Sequence, residues 1–319
     1  MPKIAIVDKI HQDGITLLKN KPNFEFEIIE DLSKKNLMSK LPNFDGITLR
    51  RGKIDAEILR NCTNLKVISR HGVGYDNVDI KYLKENKITL LVAGTTTCIS
   101  PAEHIMFMIL NIAKSFNLFD QSVRNGDFGK VMHMNHSSIE LHNKKILIVG
   151  FGRIGKKLIK RCLGFEMKVL VYDPYVDKKI VESFGGQKVE NLEESLKEID
   201  IMSLSVPLTK DTYNMINLKR MKMLKKTAII INTSRGGVVN EKDLNEAINH
   251  KIIYGAGLDV FEKEPPDANN PLLKNQNVIL SPHAATFTKE CLSNMSIQTV
   301  QNALDFFENK LKNEMIVKL

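Results

Sequence analysis

The chain has 319 residues, 43% of them hydrophobic and 26% charged, with a formal net charge of +9. The length suits two domains of ordinary size, the composition is that of a soluble globular protein, and no run approaches the roughly 18 uncharged apolar residues of a membrane helix. The basic residues are scattered in pairs such as Lys34-Lys35, Lys144-Lys145 and Lys178-Lys179, which argues against nucleic acid and leaves a mild pull on anionic substrates.

The opening MPKIAIVDKI alternates like a strand and lacks the apolar stretch and cleavage site of a signal peptide. A cytoplasmic protein without a membrane partner is expected. Short apolar runs then alternate with helical patterns, the signature of α/β architecture with parallel sheets. Candidate strands are Lys3–Asp8, Glu25–Glu30, Gly46–Arg50, Lys66–Ser69 and Ile88–Ala93. Next comes Pro101-Ala102-Glu103-His104 and a helix, IMFMILNIAKSFNLF, apolar nearly all round. Such a helix is buried on more than one side, either within the monomer or in a dimer.

A second α/β stretch supplies strands Lys145–Val149, Lys168–Tyr172, Ile201–Val206, Ala228–Asn232, Tyr254–Val260 and Val278–Ser281. Six strands with intervening helices match a doubly wound dinucleotide fold. Residues 288 to 312 read as a final helix with Met295, Val300, Leu304 and Phe307 on one face. Nothing at the end suggests a regulatory domain. The four cysteines (Cys62, Cys98, Cys162 and Cys291) form no metal-ligand or redox spacing, so free thiols and no metal are expected.

The first functional signal follows the strand Lys145–Val149. There Gly150-Phe-Gly152-Arg153-Ile154-Gly155 turns into a helix. Gly150 permits the tight turn, Gly152 lets backbone approach a pyrophosphate, and Gly155 allows close helix–strand contact. The helix N-terminus offers unpaired N–H groups to the phosphates. Asp173 ends the next strand 18 residues after Gly155, where an acid accepts from ribose hydroxyls and repels a 2′-phosphate. NAD is therefore favoured over NADP.

Ligands in this fold sit at the carboxyl ends of strands, and three chemically active residues stand there. Arg235, in Thr233-Ser234-Arg235-Gly236-Gly237, can fork onto a carboxylate. Glu264 follows the strand ending at Val260. His283, followed by Ala284-Ala285-Thr286, alone among eight histidines ends an apolar strand and precedes small residues. A cation, an acid/base and a carboxylate that tunes the base are what oxidation of a hydroxy acid needs.

These motifs resemble the D-isomer-specific 2-hydroxyacid dehydrogenase family over almost the whole chain. The resemblance rests on Arg70-His-Gly-Val-Gly-Tyr-Asp-Asn-Val-Asp79, Ala102-Glu-His104, the glycine loop with Asp173, Asn232-Thr-Ser-Arg-Gly236, Asp259-Val-Phe261 with Glu264-Pro265, and Ser281-Pro-His283. It implies that Arg235 polarises the substrate, His283 gives and takes the proton, and Glu264 is its partner. It further implies that the backbone of Val73 and Gly74, next to Gly72, cradles the substrate carboxylate. Asp259 would contact the nicotinamide carboxamide, with Val206, Pro207, Thr233, Ser234 and Thr286 lining the cofactor. The implied organisation is a flavodoxin-like substrate-binding domain, residues 1–98 with 291–319, and a Rossmann NAD-binding domain, residues 99–290. The family fold also implies a homodimer through the helix after Pro101.

Three departures concern substrate. His71 stands where many members carry a smaller residue, which makes the pocket narrower or more polar. Pro101 replaces a small or β-branched residue. Arg50-Arg51 sets two cations where the family often has one; either they bind a second anionic group or they are exposed arginines. A non-catalytic, NAD-sensing member is the rival reading, and it would show lost catalytic residues or an added tail.

Overall fold

The computed structural model describes residues 1–94, 97–132 and 138–319. The chain divides into two units, Met1–Thr97 with Thr286–Leu319, and Cys98–Ala285. The first boundary lies one residue before the expected 98/99 and the second five residues before the expected 290/291. Thr288 explains the second shift: its Oγ1 accepts from Cys291 N and caps the last helix, so the element effectively begins there.

The first unit holds five parallel strands: β1 (Lys3–Val7), β2 (Glu25–Ile29), β3 (Gly46–Leu49), β4 (Val67–Arg70) and β5 (Thr89–Val92). Their order, β2-β1-β3-β4-β5, is flavodoxin-like. Gly46–Leu49 is buried throughout, as a parallel strand covered on both faces should be. The final helix, Lys289–Phe307, buries Met295, Val300 and Leu304 in this unit. It is shorter than the expected 288–312 because Asn309 turns left-handed, with φ 55°, and ends the helical run.

The second unit holds β6 (Lys145–Val149), β7 (Lys168–Tyr172), β8 (Gln187–Lys188), β9 (Ile201–Leu204), β10 (Ile229–Asn232), β11 (Gly255–Leu258) and β12 (Val278–Leu280). All are parallel, in the order β12-β11-β10-β9-β6-β7-β8. Counted from β6, this is the doubly wound Rossmann order with a seventh strand added at one edge. The sequence reading found six of the seven. It missed β8, whose two residues are too short to show a period.

The apolar segment after Pro101 is not one helix. It forms Ile99–Ala113 and Phe116–Arg124, separated by Ser115 at φ 51°. The first of these lies against the sheet of its unit, where Gly257 of β11 leaves room for Met108. A Cβ on Gly257 would come within 3.0 Å of the Met108 sulfur. No described helix is long and apolar enough to cross a membrane.

Candidate active site

The sheet order of the second unit reverses between β6 and β9, and ligands of doubly wound sheets lie at the carboxyl ends beside such a reversal. The glycine loop leaves β6 at this point. Gly150 adopts φ 94°, the left-handed turn that favours glycine. A Cβ on Gly155 would lie 2.5 Å from the Gly150 carbonyl oxygen, so the helix sits hard against the turn. A Cβ on Gly152 would meet nothing within 4 Å, so that position opens onto space. Gly152 is also the N-cap of the helix Arg153–Gly164 and supplies no side-chain cap, leaving N–H groups of the first turn, from Arg153 and Ile154 onward, for an anion.

Asp173 stands just beyond β7. Its Oδ2 accepts from Phe151 N at 2.8 Å and its Oδ1 from Tyr175 N at 2.9 Å. It therefore ties the glycine loop to the next strand, a structural task in addition to the expected ribose contact. Ser205 Oγ, just before Val206 and Pro207, is buried without a hydrogen bond among the described residues, as is Thr233 Oγ1. Buried hydroxyls at strand ends that lack partners suit a polar ligand. An open glycine, an uncapped helix start, an acid after β7 and two orphaned hydroxyls together fit a dinucleotide.

Arg235 follows β10. Asn232, at the end of that strand and buried, shapes the turn. Its Oδ1 accepts from both N and Oγ of Ser234, and its Nδ2 donates to Arg235 O at 2.9 Å. The Ser234 hydroxyl, expected to line the cofactor, is thus turned to its own loop. Arg235 Nη1 donates to Ser234 O at 2.6 Å.

Glu264 and His283 meet. His283 Nδ1 lies 2.8 Å from Glu264 Oε2, and Glu264 Oε1 accepts from Phe261 N at 3.1 Å. The bond to Glu264 holds the imidazole above its ordinary pKa, against burial and the Arg235 charge, with Asp259 adding to the rise. Burial pushes the Glu264 carboxyl up, but its bond to His283 and the charges of His283 and Arg235 keep it below the ordinary carboxylate range. A cleft of about 420 Å³ lined by Phe261, Glu264, Leu280 and His283 adjoins the pair.

Asp259 is fully buried. Its Oδ1 accepts from Ser281 Oγ at 2.5 Å and Ala284 N at 2.7 Å, its Oδ2 from Ala285 N at 2.9 Å, and its carbonyl from His283 N at 2.8 Å. One residue therefore receives the N–H groups of residues 283, 284 and 285. The sequence offered Asp259 only as a cofactor contact, and this hold on the His283 loop has no local pattern to announce it. Thr286, expected beside the cofactor, groups with the other unit.

In the first unit, Gly72 has φ 127° and Val73 is exposed. Arg70 donates from Nε to Gly74 O at 2.8 Å and from Nη1 to Arg50 O at 2.6 Å, fixing the loop of residues 71–74. His71 is 6% exposed. Burial, reinforced by the charges of Arg50 and Arg70, pushes its pKa down to about 3, so the ring is neutral. Its Nε2 is buried without a hydrogen bond among the described residues. The two arginines after β3 share an acid the sequence reading did not weigh. Arg51 forks onto Asp8 at 2.6 and 3.1 Å, and Arg50 lies 3.8 Å from the same carboxylate.

Comparison with known proteins completes the picture. Residues 106–285 match the family model described as D-isomer specific 2-hydroxyacid dehydrogenase, NAD binding domain. The chain is similar to the D-3-phosphoglycerate dehydrogenase of Methanocaldococcus jannaschii, with 37% identity over 91% of this chain. It spans only about half of that protein, 54% of its length. It is 33% identical to the glyoxylate reductase of Korarchaeum cryptofilum over 100% of this chain and 98% of that one. Among solved structures, the D-lactate dehydrogenase of Aquifex aeolicus, complexed with NAD and lactic acid, superposes with a TM-score of 0.86 at 28% identity, covering 98% of both chains.

Proposed function

This chain belongs to the D-isomer specific 2-hydroxyacid dehydrogenase family, and from that premise we propose that it interconverts a small D-2-hydroxy acid and its 2-keto acid with NAD. The observation that carries the reading is the 2.8 Å contact between His283 and Glu264, with the Arg235 charge acting on both.

A nicotinamide bound there would supply the hydride in reduction and take it up in oxidation. A carboxylate only accepts hydrogen bonds, so Glu264 keeps a proton on Nδ1 of His283. Protonated His283 then presents Nε2–H as an acid to the substrate carbonyl oxygen. Neutral His283 presents a bare Nε2 as a base to the hydroxyl. Arg235 binds the substrate and stabilises negative charge on the same oxygen. The glycine loop, the first turn from Arg153 and Asp173 would hold the dinucleotide. A non-catalytic role has no observation in its favour: the chain retains Arg235, Glu264 and His283.

On substrate, we favour small 2-keto acids without a second anionic group. Asp8 already occupies Arg51 and neighbours Arg50, and buried His71 adds a neutral polar atom rather than a charge. The Val73 and Gly74 backbone is proposed for the substrate carboxylate from the resemblance. We also propose a cytoplasmic homodimer formed through Ile99–Ala113, supported by the exposed Phe107, Phe116 and Phe165 around a cleft of about 680 Å³.

The test is NADH oxidation with glyoxylate, hydroxypyruvate, pyruvate and phosphohydroxypyruvate. Turnover of at least one is expected, with His283→Ala slower by about 10²–10⁴ while still binding NADH. Near-full turnover by that variant would refute the assignment.

A further inference from the structure

The loop that carries His283 is held at both ends by one helix. Residues 281–285 leave β12, and within them His283 adopts φ 53°, a left-handed conformation that costs energy for any residue with a Cβ. Two side chains of Ile99–Ala113 reach this loop. Ser100 Oγ donates to the carbonyl of Ala285 at 2.6 Å, and His104 Nε2 lies 2.9 Å from Ser281 Oγ. The two are four residues apart, so they stand on the same helical face.

The direction of these bonds follows from what each group can do. Ser281 has one hydroxyl proton and gives it to Asp259 Oδ1. Its oxygen must therefore accept from His104, which fixes a proton on Nε2 of His104. Asp259 passes the constraint on by accepting the N–H groups of Ala284 and Ala285 and, through its carbonyl, that of His283. Ser100 secures the far end. Both Ser100 and the Asp259 carboxylate are buried, where a hydrogen bond is costly to break.

We propose that Ser100 and His104 are positioning residues for the acid–base step, bracing the ends of the 281–285 loop so that His283 stays against Glu264. The proposal rests on His283 being the proton donor and acceptor. Neither side chain touches the reacting atoms. They act by holding the left-handed turn against relaxation, through Ser281 and Asp259 in one case and the Ala285 carbonyl in the other.

The test compares Ser100→Ala, His104→Leu and His104→Gln in the full chain, with kcat, KM, NADH binding and the pH profile of keto-acid reduction as readouts. Gln retains an N–H donor at the position of Nε2, whereas Leu does not. His104→Leu is expected to lower kcat by about ten- to a hundredfold, the scale of a small misplacement of a catalytic group. NADH binding should change far less than kcat. The groups acting on His283 are Glu264, Arg235 and Asp259. A loosened loop weakens the Glu264 contact first, so the alkaline limb of reduction should move to lower pH. His104→Gln should restore most of the rate and the limb, and Ser100→Ala, which strips the buried Ala285 carbonyl of this donor, should reproduce part of the loss, with melting temperature followed alongside kcat. Wild-type kcat in both His104→Leu and Ser100→Ala would overturn the proposal. So would a lower kcat with an unmoved limb, or a Gln variant as impaired as Leu. His283→Ala separates the two levels: full activity there defeats the proposed function, whereas an inactive His283→Ala beside a normal His104→Leu defeats only the brace.

Discussion

His283 Nδ1 and Glu264 Oε2 are 2.8 Å apart although 19 residues separate them in the chain. Their loops follow β12 and β11, which are neighbours in the sheet. Parallel pairing therefore delivers an imidazole and a carboxylate to one edge without either residue being near the other in sequence.

This contact sets a pH dependence. Glu264 raises the His283 pKa, and the proposed reduction uses the protonated ring. Replacing Glu264 with Gln removes the charge and lowers that pKa. The rate of reduction should then begin to fall at a lower pH than in the wild type, while oxidation, which needs the neutral ring, gains at its acidic limb. Parallel pH–rate profiles in the two directions check this, and limbs that stay in place would contradict the pairing.

Asp173→Ala should weaken NADH by about 10- to 100-fold, the range expected when hydrogen bonds to a charged group are lost. NADPH should lose far less or gain, because the repulsion of a 2′-phosphate also disappears. Fluorescence titrations of both cofactors decide it. Since Asp173 Oδ2 also holds Phe151 N, a small fall in melting temperature is expected as well.

Gly236 is needed for closeness rather than for backbone freedom. A Cβ there would stand 1.8 Å from the carbonyl oxygen of Phe261 and 2.5 Å from Glu262 N. Backbone must move to admit it, so Gly236→Ala should cost about 1–3 kcal/mol, roughly 2–4 °C of melting temperature per kcal/mol in a unit of this size. Turnover should fall beyond what lost stability explains, because Arg235 is the adjacent residue. A variant with unaltered melting and kcat would show that the turn is looser than described.

Phe107 is 53% exposed on Ile99–Ala113. If a second copy covers it, Phe107→Asp places a charge in an apolar contact and should shift the protein from dimer to monomer in sedimentation experiments. A wild-type protein that is already monomeric would remove the dimer from the proposal.

What the sequence revealed follows from how each signal is encoded. β6, with its apolar run KILIV followed by glycines, carries its own signature, and β7 with Asp173 lies at the spacing a dinucleotide unit requires. Arg235, Glu264 and His283 were singled out because each follows the carboxyl end of a strand. Asp8 escaped notice because its partner, Arg51, comes from another strand 43 residues on. His104 and Ser281 stand in motifs that the sequence displays, but their contact with each other, and that of Ser100 with Ala285, were hidden for the same reason: positions 177 apart in the chain, in the first case, meet only through tertiary packing. The break at Ser115 was missed because KSF contains neither glycine nor proline, and a serine rarely takes φ above zero.

The helix Ile99–Ala113 therefore has two faces with different duties. Ser100 and His104 bond to the loop that carries His283, and Phe107 is exposed. If a second copy settles on the outer face, as the proposed dimer requires, and steadies the helix, linkage makes the effect mutual: a substrate that tightens the loop would favour that dimer by the same free energy. Specific activity should accordingly decline as the protein is diluted, and a saturating 2-keto acid with NADH should oppose that decline; activity independent of protein concentration would show the two faces to be uncoupled.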